Sequence, residues 1–151
     1  MKQKERFKAV VAVYLLLIKD ENILLYLRQN TGFGDGLYGL VSGHVDGNES
    51  VTNAMLREAQ EEAGIVINKN DLEITCVMHR KALDREVIDY FMKAETWNNA
   101  IENLEPKKCK ELKFFPIQAL PDNIIPYVRM GIDLSLKGTK FAEYGWNNNQ
   151  K

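Results

Sequence analysis

Apolar residues dominate the chain from Phe7 to Ile18 and again from Asn22 to Arg28, with Lys19-Asp20-Glu21-Asn22 between the two runs. Apolar, β-branched-rich runs of this length around a polar cluster predict two strands joined by a hairpin turn. Thr31 to Gly36 holds three glycines in six residues and predicts a flexible loop. A short strand from Tyr38 to Ser42 follows. At Ser50 the period changes: Val51, Ala54, Met55 and Ala59 recur at three- and four-residue spacing, which predicts a helix to Ala63 that Gly64 ends in the left-handed conformation.

Beyond the helix, Leu72 to Arg80 and Glu86 to Glu95 read as strands with a turn around Leu83-Asp84. Trp97 to Lys110 is polar and irregular, as surface loops are. Leu112 to Ile117 predicts another strand, and Ile125, Val128, Ile132 and Leu136 mark a helix from Ile124 to Leu136, where Pro126 is tolerable only in the first turn. Strands on both sides of one well-marked helix, closed by a second, predict an α/β (α+β) sandwich in a single domain over residues 1–138. Residues 139–151 are expected to form a loosely ordered tail, with Phe141, Tyr144 and Trp146 able to pin it.

Length supports one domain, since 151 residues suffice for one sizeable core. With 20 basic and 21 acidic side chains the net charge is -1, so no global field favours nucleic acid or a membrane surface. No segment is long enough to span a bilayer, and no DNA-binding module is recognisable. The basic start and the apolar run after it resemble a secretory leader, but no small-residue cleavage site follows and the run ends at Lys19-Asp20-Glu21, so it reads as the first strand. Cys76 and Cys109 lie far apart without CxxC or Cys/His spacing, which argues against a disulfide framework and a zinc site. Reduced thiols suit a cytoplasmic protein.

The densest chemical signal is Arg57-Glu58-Ala59-Gln60-Glu61-Glu62-Ala63-Gly64. On a helix, Glu58, Glu61 and Glu62 stand at i, i+3 and i+4, so three carboxylates project from one side. Their mutual repulsion calls for a positive partner. Hard oxygen donors without histidine or thiol favour Mg²⁺ or Mn²⁺, and Mg²⁺ commonly works through carboxylates, waters and substrate phosphates. The bland alternative is a solvated acidic helix face with an ordinary Arg57–Glu61 pair. Upstream residues decide between them. Gly43, Glu49, Arg57, Glu58, Ala59, Glu61, Glu62, Gly64 and Ile65 together match the Nudix box over residues 43–65. The chain therefore resembles the Nudix hydrolases of the MutT-like type.

That resemblance implies an α/β/α sandwich with a mixed central sheet and a metal-dependent hydrolase that cuts a diphosphate linkage in a nucleotide-like small molecule. It assigns Glu58, Glu61 and Glu62 to metal binding, with Glu58 assisting deprotonation of water, and makes the Ser42 carbonyl a further metal ligand. Arg57 and Glu49 would orient the cluster, with Gly43, Glu49 and Gly64 structural parts of the box. The family often reads Pro-Gly-Gly where this chain has Val41-Ser42-Gly43. Glu105, preferred over Glu102, falls where many relatives place another acidic ligand or base. Arg28 matches a phosphate- or base-contacting position, against the alternative of a solvated strand end. Asn123 lies where MutT reads a base, against the alternative of a helix cap. Tyr38, Phe33, Trp97 and Tyr127 are aromatic candidates for stacking on a base or for ordinary packing. His79-Arg80 either faces the site or packs at a strand end.

Arg80, Lys81 and Ala82 occupy the region where ADP-ribose and diadenosine polyphosphate hydrolases carry their marks, and Gln29-Asn30 does not continue a coenzyme A diphosphatase signature. By elimination a (d)NTP diphosphatase leads, ahead of enzymes of nucleotide sugars, dinucleotides or capped RNA, and of a non-catalytic nucleotide-sensing module. Homodimers are frequent in the family; no feature of this sequence establishes one.

Overall fold

The computed structural model describes residues 1–147. Its centre is β1 (Val10–Lys19), in which six consecutive residues, Ala12 to Leu17, are buried. A strand apolar on both sides must be covered on both sides. Along one edge β1 pairs in parallel with β6 (Glu86–Ala94), from Val10↔Val87 to Leu17↔Ala94. Its other edge is divided. Ala12 to Leu15 pair antiparallel with β4 (Val41–His44), whereas Ile18 and Lys19 pair with β2 (Asn22–Arg28). β3 (Tyr38–Gly39) and β7 (Cys109–Pro116) flank β2. β5 (Glu73–Lys81) lies beside β6 and carries β8 (Phe141–Tyr144) in parallel on its far edge. The sheet is therefore mixed, and it splays where β1 changes partner.

Two helices cover it. α1 (Val51–Ala63) buries Ala54, Met55, Ala59 and Ala63 against Val13, Leu15, Leu17, Leu24 and Tyr26. α2 (Pro126–Lys137) buries Val128 and Ile132 on the opposite face, against Tyr14, Leu16, Ile23, Met78 and Phe91. This is the expected α/β/α sandwich. α1 begins where Ser50 accepts the Asn53 N–H at 3.1 Å, and it ends at Gly64, φ 68°. Pro126 sits in the first turn of α2, where its missing N–H costs nothing.

Four local expectations change. The first strand begins at Val10, and Phe7 is exposed. The strand expected over Tyr38–Ser42 is broken at Leu40 into β3 and β4, which pair with β2 and β1 respectively. The glycine loop after β2 is held by hydrogen bonds to the Asp35 carboxylate from the backbone N–H groups of Thr31 and Gly32. Residues 141–144, expected in a loose tail, form β8. Gly138, φ 78°, turns the chain out of α2, Ala142 is buried, and the Trp146 indole donates to the His79 carbonyl at 3.0 Å. Residues 148–151 lie outside the described residues. Both cysteines are free and buried. Among the described residues, no helix is long and apolar enough to cross a membrane.

Candidate active site

The site forms where β4 meets α1. Gly43 faces the helix, and a Cβ there would overlap the Glu58 carboxylate, so glycine lets the acid lie against the strand backbone. Arg57 joins the loop to the helix. Its Nη2 donates to Glu49 at 2.7 Å and to the His44 carbonyl at 3.1 Å, its Nε to the other Glu49 oxygen at 3.1 Å, and its Nη1 to Glu58 at 2.8 Å and Glu61 at 3.3 Å. Asp46 lies 3.4 Å from the same guanidinium. Glu49 in turn accepts the Asp46 N–H at 2.8 Å. This doubly anchored carboxylate is held below the usual range by its hydrogen bonds from Arg57 and Asp46.

The three helix carboxylates separate by depth. Glu61 is half exposed, Glu58 retains 13% side-chain exposure, and Glu62 is buried. Burial raises Glu58 against the opposing pull of Arg57. Glu62 is pushed up to about 9, first by burial and then by the charges of Glu58 and Glu105; it shares a hydrogen bond with Glu58 and accepts the Ser42 N–H. The Ser42 backbone thus lies against Glu62, at the position the sequence associated with a carbonyl ligand.

Glu105 arrives by a different route. The last carbonyls of a helix lack intrahelical partners, and here the Leu104 and Glu102 N–H groups donate to the Glu62 and Ala63 carbonyls, at 3.2 and 3.0 Å. Gly64 leaves room for this docking, with Leu104 3.4 Å from where its Cβ would stand. The polar loop is therefore fixed on the helix end, and Glu105 reaches the cluster while Glu102 stays exposed. Tyr26 of β2 donates to Glu105 at 3.4 Å. Behind it the Cys109 thiol is pushed up to about 11, chiefly by burial, and stays protonated.

The remaining candidates scatter. Arg28 donates through Nε to the Phe33 carbonyl at 2.8 Å, and its guanidinium lies 5.7 Å from the Phe33 ring. The Asn123 amide donates to the Gly36 carbonyl at 3.2 Å and braces the loop. It makes no side-chain cap to α2. The Tyr38 hydroxyl donates to Glu111 and its ring packs edge-on against Phe115. Trp97 stacks with Phe114 in the α1-side core. His79 pairs with Glu86 at 3.3 Å and lies beside Trp146.

Sequence reasoning missed a buried polar cluster under α2. Arg80 donates to both oxygens of the fully buried Asp89, at 2.7 and 3.2 Å, and its guanidinium lies 3.8 Å from the Tyr127 ring centroid. The Tyr14 and Tyr127 hydroxyls stand 3.1 Å apart. The signal was present: Asp89 shares the inward parity of Val87 and Phe91, so an acid stands where the alternation requires an apolar residue.

A mixed-sheet α/β/α sandwich with a helix-borne acid cluster tied to a strand-end loop defines the class. The chain matches the NUDIX domain model over residues 7–129 and belongs to that family. It is 41% identical over 56 residues to an ADP-ribose pyrophosphatase of Methanocaldococcus jannaschii, a stretch covering 37% of this chain and 32% of that protein. The match thus spans about a third of the relative's length. The crystal structure of a MutT NUDIX hydrolase from Burkholderia pseudomallei superposes with a TM-score of 0.77 at 25% identity, covering 84% of this chain and 98% of that one. A bifunctional NMN adenylyltransferase/ADP ribose pyrophosphatase from Francisella tularensis, complexed with AMP and a manganese ion, shares the fold with a TM-score of 0.70 at 20% identity, over 90% of this chain and 43% of that one.

Proposed function

We propose that the protein hydrolyses a diphosphate linkage in a nucleotide derivative with Mg²⁺ or Mn²⁺ as cofactor, and that its leading substrates are (d)NTPs, oxidised forms included, cleaved to monophosphate and pyrophosphate. The observation that carries this reading is the buried Glu62, pressed against Glu58 and near Glu105. An acid in that position stays protonated unless a cation joins it. Among the described residues no three His, Cys, Asp or Glu side chains already form a cage. The donor set nonetheless fits a hard cation, because Glu58, Glu61, Glu62, Glu105 and the Ser42 carbonyl offer only oxygen.

When bound, such a cation neutralises charge on the diphosphate oxygens and acidifies water. The chain's own residues supply the rest. Arg57 fixes Glu58 and Glu61 from one side while Glu49 fixes Arg57 from the other. In this reading Glu58, whose proton affinity is raised by burial, takes a proton from the attacking water. The Arg28 guanidinium is available to a phosphate oxygen.

The local identity to an ADP-ribose pyrophosphatase favours a second reading, in which the substrate is a nucleoside diphosphate sugar. A panel of nucleoside triphosphates, diphosphate sugars and dinucleotides, incubated with Mg²⁺ or Mn²⁺ and resolved by chromatography, separates the two. If every class stays intact with both metals, the hydrolase reading fails. Glu58→Gln should lower turnover by about 10²-fold or more with the fold intact; a wild-type rate would remove Glu58 from its role.

A further inference from the structure

The loop that carries Glu105 is closed from within by one side chain. Asn103 accepts the Glu105 N–H at 3.1 Å through Oδ1 and donates through Nδ2 to the Cys109 carbonyl at 2.7 Å, so a single amide ties Glu105 to the first residue of β7. The Glu105 carbonyl accepts the Lys108 and Cys109 N–H groups, at 2.9 and 2.7 Å. Glu105 is thus held by its own N–H and its own carbonyl, and Pro106 fixes the φ that follows.

The segment leaving β2 grips the same loop from the other side. Gln29 donates through its backbone N–H to the Lys108 carbonyl at 2.9 Å and through Nε2 to the Pro106 carbonyl at 2.8 Å. Asn30 takes the left-handed conformation that asparagine tolerates, φ 54°, and its amide donates to the Lys107 carbonyl at 3.1 Å. All five consecutive carbonyls from Glu105 to Cys109 therefore accept a hydrogen bond, three of them from side-chain amides. Residues 106–108 are exposed, where water could satisfy such groups, so the protein donors serve to fix the backbone. What these bonds leave free is the carboxylate. Its Oε2 has only the long 3.4 Å bond from Tyr26, and its Oε1 accepts none among the described residues. Glu58 and Glu61 are held differently, by Arg57 directly on their oxygens.

We infer that Asn103 is the positioning residue of Glu105, and that Gln29 and Asn30 complete a neutral amide clamp that presents this carboxylate to a cation without occupying it. The inference rests on the metal-dependent reading of the acid cluster. Holding an acid by its backbone suits a group whose oxygens must stay open, and neutral donors close the loop without an ion pair. Because Gln29 follows Arg28, which pairs with Cys109 across β2 and β7, the acid loop and the end of β2 form one unit. Geometry imposed on a ligand by its supporting residues is the general means of tuning a metal site.

A double-mutant cycle on Mn²⁺ affinity, read by electron paramagnetic resonance of the free ion without substrate, tests the clamp. Asn103→Ala should weaken Mn²⁺ binding by about tenfold or more, and Glu105→Gln at least as much. The double variant should match Glu105→Gln within about twofold, because a residue that acts through another adds nothing once that other is gone. Wild-type affinity in either single variant, or losses that multiply in the double variant, would each overturn the positioning role. If Asn103→Ala does not fold, Gln29→Ala, which removes only the side-chain bond to Pro106, enters the same cycle under the same criteria. Because no turnover is measured, the clamp and the hydrolase reading can fail separately. Hydrolysis with Asn103-independent Mn²⁺ binding sinks the first alone, and Asn103-dependent Mn²⁺ binding without hydrolysis of any substrate sinks the second alone.

Discussion

Replacing Glu62 by Gln should make the metal-free protein more stable at alkaline pH while abolishing metal-supported turnover. Glu62 is 7% exposed and is pushed from the ordinary 4.5 up to about 9 by burial and by Glu58 and Glu105. Because the folded value lies above the unfolded one, the native state binds the extra proton between these limits. Stability therefore falls as pH rises from about 4.5 to about 9, and the full penalty is present above that window. At about 1.4 kcal/mol per pH unit, the 2.5 units between 4.5 and 7 correspond to an upper bound of roughly 3–4 kcal/mol at neutral pH. Gln keeps the shape and the hydrogen-bonding capacity towards Ser42 and Glu58 but cannot ionise. Urea denaturation followed by circular dichroism in EDTA should show the variant close to wild type at pH 5 and more stable at pH 8.5. Added Mg²⁺ should then raise the wild-type midpoint more than that of the variant, since a ligand bound only by the native state stabilises it. A variant less stable than wild type at pH 8.5 in EDTA would show that the protein itself already compensates the Glu62 charge.

Two further perturbations probe the frame. Asp89→Ala leaves Arg80 buried without its partner and should cost about 3–5 kcal/mol, lowering the melting temperature by roughly 6–20 °C; the Arg80→Leu, Asp89→Leu double variant should recover most of that. A loss below about 1 kcal/mol for Asp89→Ala would mean the pair is effectively solvated. Gly43→Ala drives a Cβ into the Glu58 carboxylate and should lower kcat by at least about tenfold with little change in melting temperature, and wild-type kinetics would show that Glu58 has another working position.

What could be read in advance followed locality. α1 was legible because all its determinants are near neighbours: the Ser50 cap, the apolar spacing and Gly64. The break at Leu40 was not, because Tyr38 to Ser42 is one β-compatible run, and only the divided edge of β1 assigns its halves to different partners. β8 escaped notice because Gly138 reads as an ending. Four residues are too few to show a period, and the strand exists through its pairing with β5, more than sixty positions away. In the glycine loop the same residues support opposite readings. Gly32, Gly34 and Gly36 all have positive φ, of 81°, 62° and 84°, so they serve a fixed backbone shape that Asp35 closes.

The acid cluster divides along the same line. Helical spacing places Glu58, Glu61 and Glu62 together, but their different burial is imposed by β4 and by the loop from 98 to 108, which no spacing rule reaches. Glu105 enters the cluster because the end of α1 needs donors for its last carbonyls, and the loop that supplies the Glu102 and Leu104 N–H groups carries Glu105 in with it. Capping the helix and bringing Glu105 to the acid cluster are thus one structural act. The same docking places a fourth carboxylate near Glu62, where its charge adds to the rise in that group's proton affinity.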